Sequence, residues 1–561
     1  MTTSDNQKKS TNKNISSIDL GDCEDKLKKV YDIDPSLPLI IFKIDYYSPE
    51  TLIPIVGYEI YDPISKEKLN LSHCEEILIK LNIPVNIDES KLFRHDPNSE
   101  YYTDNCFSYT TENGTDIIIS DRKKEYSDNN LALCQNDCIY TGYNQNDKQS
   151  LCDCSLKNKM DLISEIIDNP IQLSNDFESQ NIDSSSSSGA SNIISIKCTK
   201  ALFSKEGLKN NISSYILLIF IGHILLSILF FIKCGFELLK NQIRTILHEK
   251  EKMEKKTIQT TDGNKKKRKK KSKNYRFNFP PKKGKKSKKA NINIKVSSKI
   301  FVNKNNKIIN SKVNLQSNTL IIPKNTKNSL KISYNDYELN NFDYRQAILY
   351  DKRSCCDYYF SLIKRKNPLI FSFCPVDDYN SMIIKTCIFS LSFSIYYATN
   401  FVFFDDNIMH KIYELGGKYD VLYFLPKIAI AFAVSYYITV IIKLVFLSER
   451  NIVNIRFQVM ISSAYEISEK EKKNLMIKYS IFFILSLIFL VFFWMLLSSF
   501  GAVYPNTQIF IFKNTLISFA LSIFYPFVIN IFPCMLRMCS LKSGEKNNEY
   551  AYKISKVLQE L

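Results

Sequence analysis

The sequence predicts a multi-pass α-helical membrane protein of five spans, with a mixed α/β, cysteine-containing N-terminal outer domain and a disordered basic cytoplasmic loop. Three observations predict it. Five apolar stretches are long enough, or nearly so, to cross ~30 Å of hydrocarbon. Charge is segregated: residues 1–211 hold 22 Lys+Arg against 34 Asp+Glu, a net of −12, and the remainder holds 53 against 23, a net of +30. Eight of the fifteen cysteines precede the first apolar stretch. A mean hydropathy of −0.16 hides this partition.

Residues 1–35 are polar and read as a disordered start. The outer domain follows over 36–182. Its opening runs, LPLIIFKIDYY and IPIVGYEIYD, alternate aromatic and β-branched residues around a Ser-Pro turn and read as two strands. HCEEILIKLNI reads as one short amphipathic helix, and DLISEII as another. Residues 183–211 form a Ser-rich stalk.

The domain is cysteine-rich over 106–154. Cys134, Cys138, Cys152 and Cys154 fall within 21 residues, with Cys106 upstream, and these five are the disulfide candidates. An even number of outer cysteines suits an oxidising compartment, although spacing does not give connectivity. Free thiols or a metal site are the other readings. The cluster has no His and lacks zinc-ribbon spacing, so no metal is expected.

The spans are expected at 214–232, 383–404, 424–446, 479–500 and 511–533, with a tail over 534–561. Lys427 and Lys443 bracket the short third stretch and can snorkel. ELLKNQIRTILHEKEKMEKK prolongs the first helix, with Leu238, Leu239, Ile243 and Ile246 on one side. A basic loop covers 234–380, disordered over 260–335, and the Tyr-rich segment before the second span turns helical again.

Lys and Arg gather on the cytoplasmic side. The loop 405–420 has two Lys and four acids and 501–507 has no charge, whereas 448–478 and 534–561 hold six and five Lys+Arg. This places the N-terminus outside or in a lumen and the C-terminus in the cytoplasm, with the plasma membrane favoured. The sequons at Asn70 and Asn113 are the glycosylation candidates; those at Asn14 and Asn211 also precede the first span. The start MTTSDNQKKSTNKN has no leader character, which suggests a chain that begins inside a longer gene.

On the cytoplasmic side, residues 265–289 hold fifteen Lys+Arg and no acid. Lys265, Lys266, Lys267, Arg268, Lys269, Lys270, Lys271, Lys282 and Lys283 are the candidate contacts for anionic inner-leaflet lipid. Both ends of this block are tethered to membrane helices, so nucleic acid is not expected as a partner. Cys355, Cys356, Cys534 and Cys539 sit where reversible acylation occurs.

Enzyme signatures are absent. No GxGxxG, GxxxxGK[ST], GxSxG or HExxH run occurs, and the five histidines are scattered, so neither catalysis nor a cofactor is expected. His223, Asn400, Asn530, Tyr436 and Tyr437 lie in spans that contain no Asp or Glu, which favours packing over a proton relay.

TNFVFF (399–404), KIAIAFAVSYYITVIIKLVF followed by Glu449-Arg450, SSFGAVYP and PFVINIFPCMLR, in this order over roughly 380–540, resemble the membrane-entry half of polycystin-1-like receptors. The whole is also similar to uncharacterised multi-pass protist membrane proteins with a cysteine-bearing ectodomain. The resemblance implies a receptor-like or channel-associated role, with the outer domain for ligand or adhesion contact. The rival expectations are a subunit of an ion channel or transporter and a membrane-tethering scaffold. Expected partners are the lipid bilayer and its anionic lipids, other membrane subunits, or an extracellular ligand.

Overall fold

The computed structural model describes residues 1–9, 12–47, 51–136, 138–155, 190–237, 239–252, 334–376, 378–456, 461–543 and 548–560. The expected helix at DLISEII, the serines of 183–189 and the polybasic block lie outside the described residues.

Two antiparallel sheets form the N-terminal domain. One is ordered β1 (Thr2–Thr3), β3 (Ile40–Tyr46), β4 (Ile55–Tyr61); the other β2 (Ser17–Asp19), β5 (Leu78–Pro84), β7 (Gln149–Ser155), β6 (Cys138–Asn144). The two strands expected from LPLIIFKIDYY and IPIVGYEIYD pair from Ile40↔Tyr61 to Tyr46↔Ile55. ILIKLNI is a correction: it forms β5, not a helix. Ile79, Leu81 and Ile83 are fully buried while Leu78 faces solvent, a period of two that puts one face on the core.

Residues 1–35 carry elements of this core and are not the disordered start expected. Helices α1 (Ser4–Lys8) and α2 (Asp22–Val30) flank β2. Ile18, Leu20, Cys23 and Leu27 are buried, and Cys23 is bonded to Cys74. Glu24 holds the start in place: it accepts from Ser4 Oγ at 2.6 Å and pairs with Lys8 at 3.1 Å and Lys28 at 3.0 Å. A second small core gathers Tyr101, Tyr102 and Tyr126 around α3 (Ile119–Asp128). Buried Arg122 lies 4.9 Å from the Tyr101 ring centroid and donates to the carbonyls of Ile117, Tyr101 and Phe107.

Among the described residues, five helices are long and apolar enough to cross a membrane. They are α4 (Ile212–Phe230), α9 (Met382–Val402), α11 (Val421–Phe446), α13 (Ile461–Val503) and α14 (Thr507–Ile529). Helix α4 runs through a π-turn at Phe231–Gly235, and helix is described again over 236–237 and 239–252. Leu239, Ile243 and Ile246 are buried on one side of this continuation, as expected. Helix α13 starts well before the apolar stretch 479–500, because hydropathy marks only the apolar part of a longer helix. Pro426 and Pro526 sit inside α11 and α14 without ending them.

Helix α9 is central and packs against the other four. Its most apolar stretch is 67% buried, against 22% for α4 and for α11. The sequence reason is its serines, tyrosines and Asn400, several of whose polar groups find partners on neighbouring helices. Ser392 bonds Thr439 at 2.9 Å, Asn400 donates to Ser518 at 2.9 Å, and Ser390 meets His223 at 3.0 Å.

Short helices collect at the end of the bundle away from the N-terminal domain: α5 (Asp336–Asn341), α6 (Tyr344–Tyr350), α7 (Cys355–Lys366), α8 (Pro368–Phe373), α12 (Glu449–Arg456), α15 (Ile531–Ser543) and α16 (Glu549–Glu560). Helices α5, α6 and α7 each open with a capping box, at Asn335, Asp343 and Ser354. A further helix, α10 (Asp406–Glu414), lies between α9 and α11 at the other end.

Candidate functional site

The site that stands out is the junction where the N-terminal domain grips the helix ends. It is covalent first. Cys106 is bonded to Cys198, fourteen residues ahead of the start of α4, so the domain is stapled to the approach to the first apolar helix. The other pairs are Cys23–Cys74, Cys134–Cys152 and Cys138–Cys154, so all eight N-terminal cysteines are engaged. Cys138 and Cys154 stand directly opposite across β6 and β7.

Three further contacts pin the domain to the bundle. Asp116, almost fully buried, accepts the backbone N–H of Asn506 at 2.8 Å and of Thr507 at 2.7 Å, and the Asn506 side chain at 3.0 Å. A carboxylate therefore caps the N-terminus of α14, where unpaired amide protons and the helix dipole favour negative charge. Burial pushes the Asp116 carboxyl above its ordinary value, against the pull of these hydrogen bonds. His410 of α10 bridges two carboxylates, with Nδ1 2.8 Å from Asp121 of α3 and Nε2 3.1 Å from Glu414. Gly417, at φ +77°, a conformation that favours glycine, packs closely on the domain: a Cβ there would sit 3.1 Å from Thr115 Cγ2.

The segment between the domain and α4 is bound as tightly. Ser191 N–H donates to Asp406 at 2.7 Å and Asn192 to the Phe401 carbonyl at 3.0 Å. Asn211 is completely buried and donates to Ser498 O at 2.7 Å while accepting from Ser214 N–H. Where described, residues 190–211 are a docked segment and not a loose stalk.

At the opposite end a second polar network knits α5, α9 and α12 together. Glu338, with no exposed side-chain surface, pairs with Arg456 at 2.7 Å and accepts from Tyr379 at 3.1 Å. Asp378 pairs with buried Lys385 at 2.8 Å, and Asn380 donates to Glu449 at 3.2 Å. Arg537, 1% exposed, pairs with Asp351 at 2.9 Å between the rings of Tyr358 and Tyr552. Within this network Glu338, Asp378 and Arg537 each have an opposite charge beside them, which offsets the cost of burying them.

No family model, no curated protein and no solved structure matches this chain.

The residues expected from sequence are dispersed. Asn113 is exposed in a turn, whereas Asn70 is half-buried and accepts from Ser72 N–H. Cys355, Cys356 and Cys539 are exposed. Cys534 is buried with its sulfur 2.9 Å from that of Cys355, which leaves it a poor target for acylation. Lys265 to Lys283 lie outside the described residues. Sequence reasoning did not reach Asp116, Asp121, His410 or Asn506. Pro505-Asn506 before an apolar run signals a helix start, but nothing local tells that Asp116, 390 positions away, completes the cap.

Proposed function

We propose that the chain is a non-enzymatic, receptor-like integral membrane protein, its N-terminal domain outside and its C-terminus cytoplasmic at the plasma membrane. One observation carries the reading: the disulfide-bonded domain contacts, at a single face, the approach to α4, the α9–α11 loop and the start of α14. A ligand or adhesion contact that shifts the domain therefore acts on several helices at once. The inner network around Glu338 and Arg456 is where such a shift would be read out, and the 265–289 block, resting on anionic lipid, adds an inner anchor. This fits the receptor-like role implied by the resemblance to polycystin-1-like proteins.

A second reading, a channel or transporter subunit, draws on the polar residues of α9. Two of them pair with polar residues of neighbouring helices (Ser392 with Thr439 of α11, Asn400 with Ser518 of α14), which favours packing over a conducting path.

Protease protection of an N-terminal tag tests the topology, and ion flux in vesicles separates the two functional readings. Coupling is tested by the distance between spin labels at Leu349 and Glu469, in a background lacking the seven unpaired cysteines. Asp116→Ala should change that distance distribution. Identical distributions would sink the coupling.

A further inference from the structure

Between α4 and α13, at the end of the bundle away from the N-terminal domain, lies an apolar groove of about 440 Å³. Ile228, Phe231, Ile232 and Phe236 form one wall, and Met476, Phe483 and Leu487 are among those forming the other. The positions on α13 recur at helical spacing, so they make a continuous stripe. From 476 to 487 that stripe is about 16 Å long at 1.5 Å per residue, close to half of a ~30 Å hydrocarbon core. The groove has the length of one leaflet's acyl chain.

The π-turn shapes its floor. Turns of this kind recur at functional sites because the extra residue widens the helix locally. Here it brings Phe231 against Tyr479 and Phe483, with ring centroids 5.5 and 5.4 Å away. It also places Gly235 where any Cβ would meet Phe231 Cδ2 at 2.6 Å and Ile383 Cδ1 at 2.9 Å.

The rim is polar on one side only. One to two turns beyond Phe236 and Met476 the same faces carry Lys240, Arg244, Lys472 and Lys473, against Glu237 and Glu469, four cations to two carboxylates. Lys240 pairs with Glu237 at 2.6 Å and lies 4.6 Å over the Phe236 ring; Lys472 pairs with Glu469 at 2.6 Å. Arg244 and Lys240 also act on Glu469 from across the gap, so the two basic faces converge. An apolar trough one acyl chain long that opens onto a net positive collar is complementary to one kind of molecule.

We infer that this groove is a binding site for an anionic glycerophospholipid of the cytoplasmic leaflet, its acyl chain along α4 and α13 and its headgroup against Lys240, Arg244 and Lys472. The inference rests on the reading of these helices as membrane spans, and it concerns a site distinct from the 265–289 block.

The test uses the full chain in nanodiscs with photoactivatable phosphatidylserine or phosphatidylcholine, and peptide mapping of the cross-link. The wild-type protein should label within 228–236 or 476–487, with about tenfold preference for phosphatidylserine. Ser480→Phe, which fills the groove, should abolish this label. The partly buried pair Lys240→Gln and Lys472→Gln should keep the acyl label and lose the preference for phosphatidylserine, the retained acyl label showing that the groove is still folded. Equal labelling by both lipids, or undiminished labelling of Ser480→Phe, would overturn the site. Resistance to alkaline extraction is measured in parallel, so that failure of the membrane reading is told apart from failure of the site.

Discussion

The carboxylate of Asp116 accepts the backbone N–H of Thr507 at 2.7 Å, joining two parts of the chain 391 positions apart. Removing it leaves buried amide protons at the start of α14 without an acceptor. Asp116→Ala should lower stability by about 1–3 kcal/mol, read as a drop in the melting temperature of the full chain. Asp116→Asn, which keeps an acceptor oxygen but not the charge, should lose less. Equal melting of all three proteins would show that the contact contributes nothing.

The sulfurs of Cys355 and Cys534 are 2.9 Å apart, although neither is in a disulfide. Mild oxidation should bond them, each thiol giving up one hydrogen to the oxidant, and so tie α7 to α15. Peptide mapping after treatment with hydrogen peroxide should find the 355–534 cross-link and no such product in Cys534→Ser. A cross-link from Cys356 instead would mean that α7 is rotated relative to its position here.

Acidification should weaken the N-terminal domain in two steps. Burial holds His95 below its ordinary value of 6.5, with Nδ1 2.8 Å from Leu131 O. The unfolded chain then takes up the proton first, so stability is fully present above about pH 6.5 and falls as pH drops below it. Glu24 behaves alike lower down. Burial raises its carboxyl, but hydrogen bonds from Ser4, Lys28 and Lys8 outweigh that and hold it below its ordinary 4.5. Its contribution is present above about pH 4.5 and is lost as pH falls through the lowered value. Melting temperature followed from pH 7 to 3 should show both declines. His95→Gln should flatten the first and Glu24→Gln the second.

Glycosylation should discriminate between sequons. In a eukaryotic secretory host, Asn113→Gln should remove an endoglycosidase-sensitive mass increment, because Asn113 is exposed. Asn211→Gln should leave glycan mass unchanged and lower stability, because that side chain is buried and bonded to Ser498 O. A glycan found on Asn211 would contradict the docking of 190–211.

Conserving size is the issue at Gly235. Gly235→Ala places a methyl within 2.6 Å of Phe231 and 2.9 Å of Ile383, so the Phe231 ring and the Ile383 side chain must shift. The expected cost is about 1–3 kcal/mol, measured as a lower melting temperature. An unchanged value would mean that the π-turn relaxes freely.

The amino-acid sequence by itself determined what depends on near neighbours. An apolar run of about twenty residues must satisfy its backbone internally and becomes a helix whatever surrounds it, and that made the five helices legible to within a few residues at most ends. Alternation did the same for β3 and β4, and the even cysteine count pointed to disulfides without their partners. Tertiary structure decided the rest. ILIKLNI is neutral between helix and strand until β2 and β7 supply hydrogen-bonding edges on either side of it. The polar start becomes ordered only because Ser4, Lys8 and Lys28 meet on Glu24 and Cys23 finds Cys74. Cys106 bonds Cys198 in place of a nearer cysteine, and Asp116 and His410 acquire roles from groups hundreds of positions away. Such contacts follow from the packing of whole elements, and a local pattern carries no information about an element that far along the chain.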